Sequence, residues 1–332
     1  MQNMTSSPAQ PRLFWWLFGF ILLVFVLSIV SLNVGASRMK LLHLLTQPDD
    51  RVTQLLFVSR WPRTLALILA GAALAVSGLI LQMLARNRLV DPSMVGTVDA
   101  ATLGLLLCTL MAPGMVLWLK FGVVTVFAML GTLLFLAVLN RIPLRSALLV
   151  PLVGLVLAGV ISAGNQLLAH QFELGQALRT WNSGDFSAVL RGRYELLWVA
   201  AGITLCALFL ADRFTVLGMG KDFATNVGVN YQGLIAVGVL LVAMISASVV
   251  VIAGALPFIG LIVPNLVRFI TSDNLRRAIP LVALAGSALM LAADLLGRFL
   301  IHPYEVPSAN ILAIAGSLVF LVILLRGRQQ WA

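Results

Sequence analysis

The chain has 332 residues, of which 61% are hydrophobic and only 10% charged, with a formal net charge of +10. Soluble domains carry about 25% charged residues, so a sizeable soluble domain is excluded, and repeated apolar stretches of membrane length place the chain in a bilayer. The positive charge is scattered over connecting segments without interleaved aromatics, which marks membrane-flanking residues and not a nucleic-acid surface.

Residues 1–12 are polar and read as a cytoplasmic tail. The apolar run that follows is too long for a signal core and lacks a small-residue cleavage site, so it is the first span. Spans are expected near 13–33, 61–84, 94–112, 116–138, 147–169, 194–212, 234–254, 258–272, 279–300 and 308–326. The eighth is short and holds Pro264 and Arg268. This predicts an all-α polytopic membrane protein of about ten helices, with one transmembrane permease domain over 13–328. Cys108 and Cys206 fall in apolar runs and read as small core residues, not a disulfide.

Ten spans with short inner turns bearing Arg86, Arg88, Arg141, Arg145, Arg213, Lys221, Arg276 and Arg277 put both termini in the cytoplasm. The outer side then carries Arg38, Lys40, Arg51, Arg60, Arg63, Lys120, Arg179, Arg191, Arg193 and Arg298. An acidic soluble partner docking from outside would account for that excess. A long helix, a Gly/Pro-broken connection and a further helix occur over 64–96 and again over 234–268. The two copies start from opposite sides, the pattern of an inverted repeat.

Several motifs follow one another along the chain: R-x-P-R at Arg60 to Arg63, G-A-A-L-A-x-S-G-x-x-x-Q over 71–82 and N-x-L-x-x-P over 87–92. W-x-x-G follows at Trp181 to Gly184, then G-x-x-x-F-I-G-L-x-x-P over 254–264, and A-D-x-x-x-R over 293–298 leading to Glu305. Together they resemble the vitamin B12 and ferric-siderophore permease family, the membrane subunits of type II ATP-binding-cassette importers. The resemblance implies ten helices per subunit and a second permease, identical or homologous, across a central path. It implies two ATP-binding subunits that hold ATP-Mg, and a periplasmic or lipoprotein binding protein above. Many members have His after the proline of the P-x-x-x-R segment, where this chain has Asn265.

By the same resemblance Arg60, Arg63 and Arg298 dock glutamates of the binding protein. Guanidinium forks suit carboxylates, although arginines at helix ends also snorkel to the interface. Residues 215–231 look like the loop that couples to the ATPase, as two short helices with a glycine bend. Gly220, Lys221, Asp222, Phe223, Ala224 and Gly228 carry that match, against an ordinary polar turn. The fifth and tenth helices would flank the path, with Asn165, Gln166 and Asn310 facing either a cavity or a partner helix. Ser146 falls in the expected inner gate, and Trp181 in a short outer helix near the mouth. Asp294 reads as the one acid inside an apolar helix, serving either as a proton relay or as a partner for Arg298 four residues on.

No G-x-x-x-x-G-K-[ST] or H-E-x-x-H motif occurs, and His43, His170 and His302 are far apart. No catalytic residue, metal site or resident cofactor is therefore expected in this chain, and ATP hydrolysis falls to a separate subunit. The expected function is import of an iron–siderophore complex across the bacterial inner membrane. Vitamin B12 or haem import is the alternative within the family. An ion-coupled secondary transporter is the alternative outside it, and would need a midplane site of charged groups.

Overall fold

The computed structural model describes residues 9–34, 54, 56–142, 148–192, 194–271, 275–301 and 304–327, and the regular elements there are all helices. In order these are α1 (Ala9–Asn33), α2 (Trp61–Leu84), α3 (Thr97–Met111), α4 (Leu117–Arg141), α5 (Leu149–Gln171), α6 (Gly175–Asn182) and α7 (Leu197–Phe209). They continue as α8 (Ala211–Gly218), α9 (Lys221–Asn226), α10 (Tyr231–Ala253), α11 (Ile259–Arg268), α12 (Leu275–Leu300) and α13 (Ser308–Gly327). Among the described residues six stretches are long and apolar enough to cross a membrane, and α7 with α8 passes the same test only if the pair, bent by 67°, is taken as one span. The shorter apolar helices α3, α11 and α13 complete a set compatible with the ten expected spans. Ser146, Arg38, Lys40, Arg51, Arg145 and Arg193 lie outside the described residues.

The centre of the bundle is α2. A π-helical turn at Leu56–Arg60 leads into it, and Pro62 sits in its first turn, where a missing N–H leaves nothing unpaired. Of its most apolar stretch 78% is buried, against none for α1. The cause is side-chain size: Ala66, Ala70, Gly71, Ala73, Ala75 and Gly78 are all buried and let α12, α11, α10 and α7 close in. Small residues drive helix association in lipid, where apolar burial supplies no gradient. A Cβ added at Gly71 would lie 2.5 Å from the Gly286 carbonyl oxygen on α12, and one at Gly78 only 2.2 Å from Gly260 Cα on α11.

The two broken connections fold back into the bundle from opposite ends. α10 runs antiparallel to α2, since Gly238 near its start packs on Leu84 at the end of α2. The Leu84 end is called inner below and the Arg60 end outer, after the charge-based orientation. Residues 85–96 climb from the inner end to α3, and residues 254–258 return from the outer end to α11. Both enter their helices through left-handed backbone, at Gly96 (φ 84°) and Phe258 (φ 67°). α11 begins beside Gly78, six residues or about 9 Å short of the inner end of α2. With ten and fifteen residues, α11 and α3 are roughly 15 and 22 Å long, less than the ~30 Å hydrocarbon core.

Hence the expected spans 94–112 and 258–272 are helical only over Thr97–Met111 and Ile259–Arg268. The remaining apolar residues there form extended or turn backbone. Cys108 is buried as expected, but Cys206 is exposed on the outward face of α7.

Replacing Gly78 by Ala should cost about 1–3 kcal/mol or more, because a methyl has no room between two backbones. Gly122→Ala on α4, where a Cβ meets open space, should be neutral or stabilising by up to ~1 kcal/mol. Thermal unfolding of the purified protein in detergent reads both, and equal responses would refute the close crossing.

Candidate functional site

At the outer end, four charged side chains from three elements meet. Asp294 on α12 is 3% exposed. Its Oδ1 accepts from Arg63 Nη2 at 2.7 Å and Nε at 3.3 Å, and its Oδ2 accepts from Arg298. Arg63 also donates to Glu305 Oε2 at 2.8 Å on the connection that precedes α13. Arg298 Nη1 reaches the end of α1, at the Ser31 and Val34 carbonyls (3.1 and 2.8 Å), and Arg60 donates to the Leu32 carbonyl at 2.8 Å. These carbonyls are the ones a helix C-terminus leaves unpaired, and cations suit them. The expected Asp294–Arg298 pair is thus present, extended by Arg63.

The three candidate docking arginines do gather at one end, but they are not equally available. Arg298 is 6% exposed and faces inward to α1 and Asp294. Arg63 shows a narrow edge beside the partly exposed Glu305, and Arg60 is half-buried.

At the inner end, the span ending at Phe209 bends into α8, and Gly220 (φ 112°) joins α8 to α9. That backbone angle is open to glycine at little strain. Ala224 is fully buried, which seats α9, while Lys221, Asp222, Phe223 and Gly228 are exposed. Met219 (61%), Phe223 (48%) and Val227 (58%) together leave an apolar surface uncovered beside charged neighbours.

Among the path candidates, Asn165 on α5 is buried and donates to the Asp99 carbonyl of α3 at 2.9 Å, so here it ties two helices. Gln166 and Asn310 are exposed. Trp181 is half-buried at the end of α6, and its carbonyl accepts from Ala255 N–H at 2.7 Å. Gly184 then accepts from Ser308 Oγ at 3.1 Å. The W-x-x-G motif therefore fastens the break between α10 and α11 to the start of α13.

At mid-depth the two broken connections meet. The buried Asp91 carboxylate accepts from the Ser93 N–H at 3.0 Å and from the Ser93 hydroxyl, whose oxygen in turn accepts from the Phe258 N–H at 3.4 Å. Asp91 Oδ1 lies 2.4 Å from where a Cβ on Gly260 would stand, so Asp91 with Ser93 caps the N-terminus of α11. Gln82 donates to the Gly260 carbonyl at 3.0 Å and more weakly to that of Val90. Asn265 donates to the carbonyls of Arg88 (2.9 Å) and Leu261 (2.8 Å). The residue that departs from the common His thus joins α11 to the first broken connection.

A family model described as the FecCD transport family matches residues 20–326. The chain belongs to that family. It is 39% identical over 309 residues to the petrobactin import system permease protein FatD of Bacillus anthracis, covering 93% of this chain and 90% of that protein. It is 37% identical over 312 residues to the ferric-anguibactin transport system permease protein FatD of Vibrio anguillarum, covering 94% and 99%. A solved structure of a metal-chelate type ABC transporter in an inward-facing conformation matches with a TM-score of 0.77 at 26% identity, over 94% of this chain and 99% of that one. FecCD membership bears out the resemblance read from the ordered motifs.

Sequence reasoning passed over three residues of this FecCD chain. Asp91 reads as part of an Asp-Pro turn, yet it is the helix cap that joins the two breaks. Glu305 reads as a loop acid, yet it closes the outer cluster. Asp99, in the first turn of α3, corrects the reading of Asp294 as the one acid inside an apolar helix. Its position just after Gly96 was the available signal, since acids favour first turns.

Removing the carboxylate charge with Asp294→Asn leaves Arg63 and Arg298 facing each other without a buried counter-charge. The expected loss is about 3–5 kcal/mol, whereas Glu305→Gln at the exposed end should cost less than about 1 kcal/mol. Melting curves of both variants in detergent decide the matter: a tolerated Asp294→Asn would mean that the buried ion cluster does not hold this end together.

Proposed function

We propose that this chain is the membrane permease of an ATP-binding-cassette importer that carries a ferric siderophore across the bacterial cytoplasmic membrane, with both termini cytoplasmic. The observation that carries the reading is similarity along nearly the whole chain to two permeases named for siderophore import, at 39% and 37% identity. A permease of this kind needs three further contacts, and the surface offers a candidate for each.

The exposed apolar residues Met219, Phe223 and Val227 suit a cleft in an ATP-binding subunit, where ATP-Mg is bound and hydrolysed. Ala224 roots α9 in the bundle, so closure below is felt as a push on the helices. The rim formed by Arg60 and Arg63 suits acidic groups of a soluble binding protein, periplasmic or lipid-anchored. Arg298 serves that rim from beneath, by fixing the Asp294 that fixes Arg63. The exposed faces of α5 and α13, with Gln166 and Asn310, suit a cargo path shared with a second permease subunit. An ion-coupled carrier is disfavoured because Asp294 has both oxygens on arginines, which leaves it no open ion site.

The test is uptake of radio-iron on a panel of siderophores that includes petrobactin and anguibactin, with labelled haem and vitamin B12 alongside. Cells lacking the gene should lose uptake of one siderophore, and the intact gene should restore it. Phe223→Asp should fail to restore it. Arg60→Glu should lower it by roughly tenfold or more, as when like charges face each other across an interface. Loss confined to haem or B12 would overturn the cargo, and full rescue by Phe223→Asp would overturn the ATPase contact.

A further inference from the structure

Residues 85–96 touch the α8–α9 bend, α11 and α5. At their inner end Arg86 holds left-handed backbone (φ 47°), and its Nη1 lies 3.4 Å from where a Cβ on Gly220 would stand. Gly220 is the bend between α8 and α9. Met83, just before, packs its sulfur on Gly218 at the end of α8. Further along, the Arg88 carbonyl takes the Asn265 amide and the Val90 carbonyl takes Gln82. Asp91 then meets the start of α11, directly at Gly260 and through the Ser93 hydroxyl at the Phe258 N–H. At the far end Met94 and Gly96 rest on α5, against Gly154 and Ile161. α11 passes the contact on, because the Phe258 side chain is pressed against Gly316 of α13, 2.3 Å from where a Cβ would stand there.

We propose that residues 85–96 act as a lever that carries movement of the α8–α9 bend to α5 and α13, with Asp91 as its positioning residue. This rests on the reading of α8–α9 as the ATPase contact and of α5 and α13 as path helices. The segment is suited to transmit displacement because Val90, Asp91, Pro92, Met94, Val95 and Gly96 are all buried, and close-packed interiors shift as units. α11 has only ten residues and is anchored at both ends, so it follows its N-terminal cap. Asp91 is the critical joint because nearly 170 residues separate it from Phe258. A carboxylate on backbone N–H groups at a helix N-terminus is stronger than a neutral hydrogen bond there.

The experiment uses the assembled transporter in liposomes: this chain with its permease partner, ATP-binding subunits and binding protein, and ferric petrobactin carrying radio-iron as probe. ATP hydrolysed and iron transported are measured on the same vesicles. Asp91→Asn keeps the side-chain shape without the charge. Arg86→Gly keeps the left-handed backbone and deletes the exposed side chain at the input end, which gives a folded variant should Asp91→Asn assemble poorly. Each should leave hydrolysis near the unsubstituted level and raise the ATP consumed per iron by about tenfold, the scale of losing one or two charge-assisted hydrogen bonds. An unchanged ratio in both variants, or hydrolysis and transport falling in proportion, would overturn the lever while leaving the importer reading intact. An unsubstituted complex that hydrolyses ATP but moves none of the ferric siderophores of the uptake panel, each loaded in turn, would overturn that reading, and the lever with it.

Discussion

The structure depends on one constraint: a peptide group inside a bilayer must find its hydrogen-bond partner in the protein. Two stretches of non-helical backbone enter this membrane domain, from opposite ends, and the first, together with the end of α2, supplies partners where the second opens α11. Asp91, through the Ser93 hydroxyl, serves the Phe258 N–H at the start of α11, and Gln82 at the end of α2 donates to the Gly260 carbonyl. The short length of α11, the left-handed backbone at Phe258 and the small-residue face of α2 all follow from bringing these groups within reach. Where Gly78 meets Gly260, the chains are as close as backbones allow.

The outer charge cluster obeys the same constraint with ions in place of dipoles. Two arginines and two acids are neutral together, so a guanidinium as deeply buried as Arg298 is tolerated. Its donors also finish α1, which buries none of its most apolar stretch but lays Leu13, Leu17, Phe20, Val24 and Leu27 against the core. One cluster therefore anchors a peripheral helix and stiffens the rim that carries Arg60 and Arg63.

The all-helical membrane class and the order of the long spans were legible in the sequence because a membrane span needs a long apolar run, and such runs stand out. Helix ends were not, since an apolar residue reads the same in a helix as in buried extended backbone. That is why the spans expected at 94–112 and 258–272 came out shorter. The Asp294–Arg298 pair was legible from its four-residue spacing. Its extension to Arg63 was not, because that partner is 231 residues away. Asn165 left two readings open, and its hydrogen bond to the Asp99 carbonyl favours the helix tie in this conformation. Gln82 and Gly184 stood out as motif letters without a reason, and Trp181 as part of a short outer helix near the mouth. The reason is tertiary: each contacts a carbonyl or N–H from a distant break.

The crossing of Gly78 and Gly260 also constrains how such a chain can change over generations. Most packed pairs drift by exchange, one residue growing as its neighbour shrinks. Glycine has nothing smaller to become, so neither position can compensate for the other. A lineage that gained a methyl at either would have to part the two helices, drawing the donors of α11 away from Asp91. No sequence of single tolerated steps leads out of that arrangement without first giving up the cap.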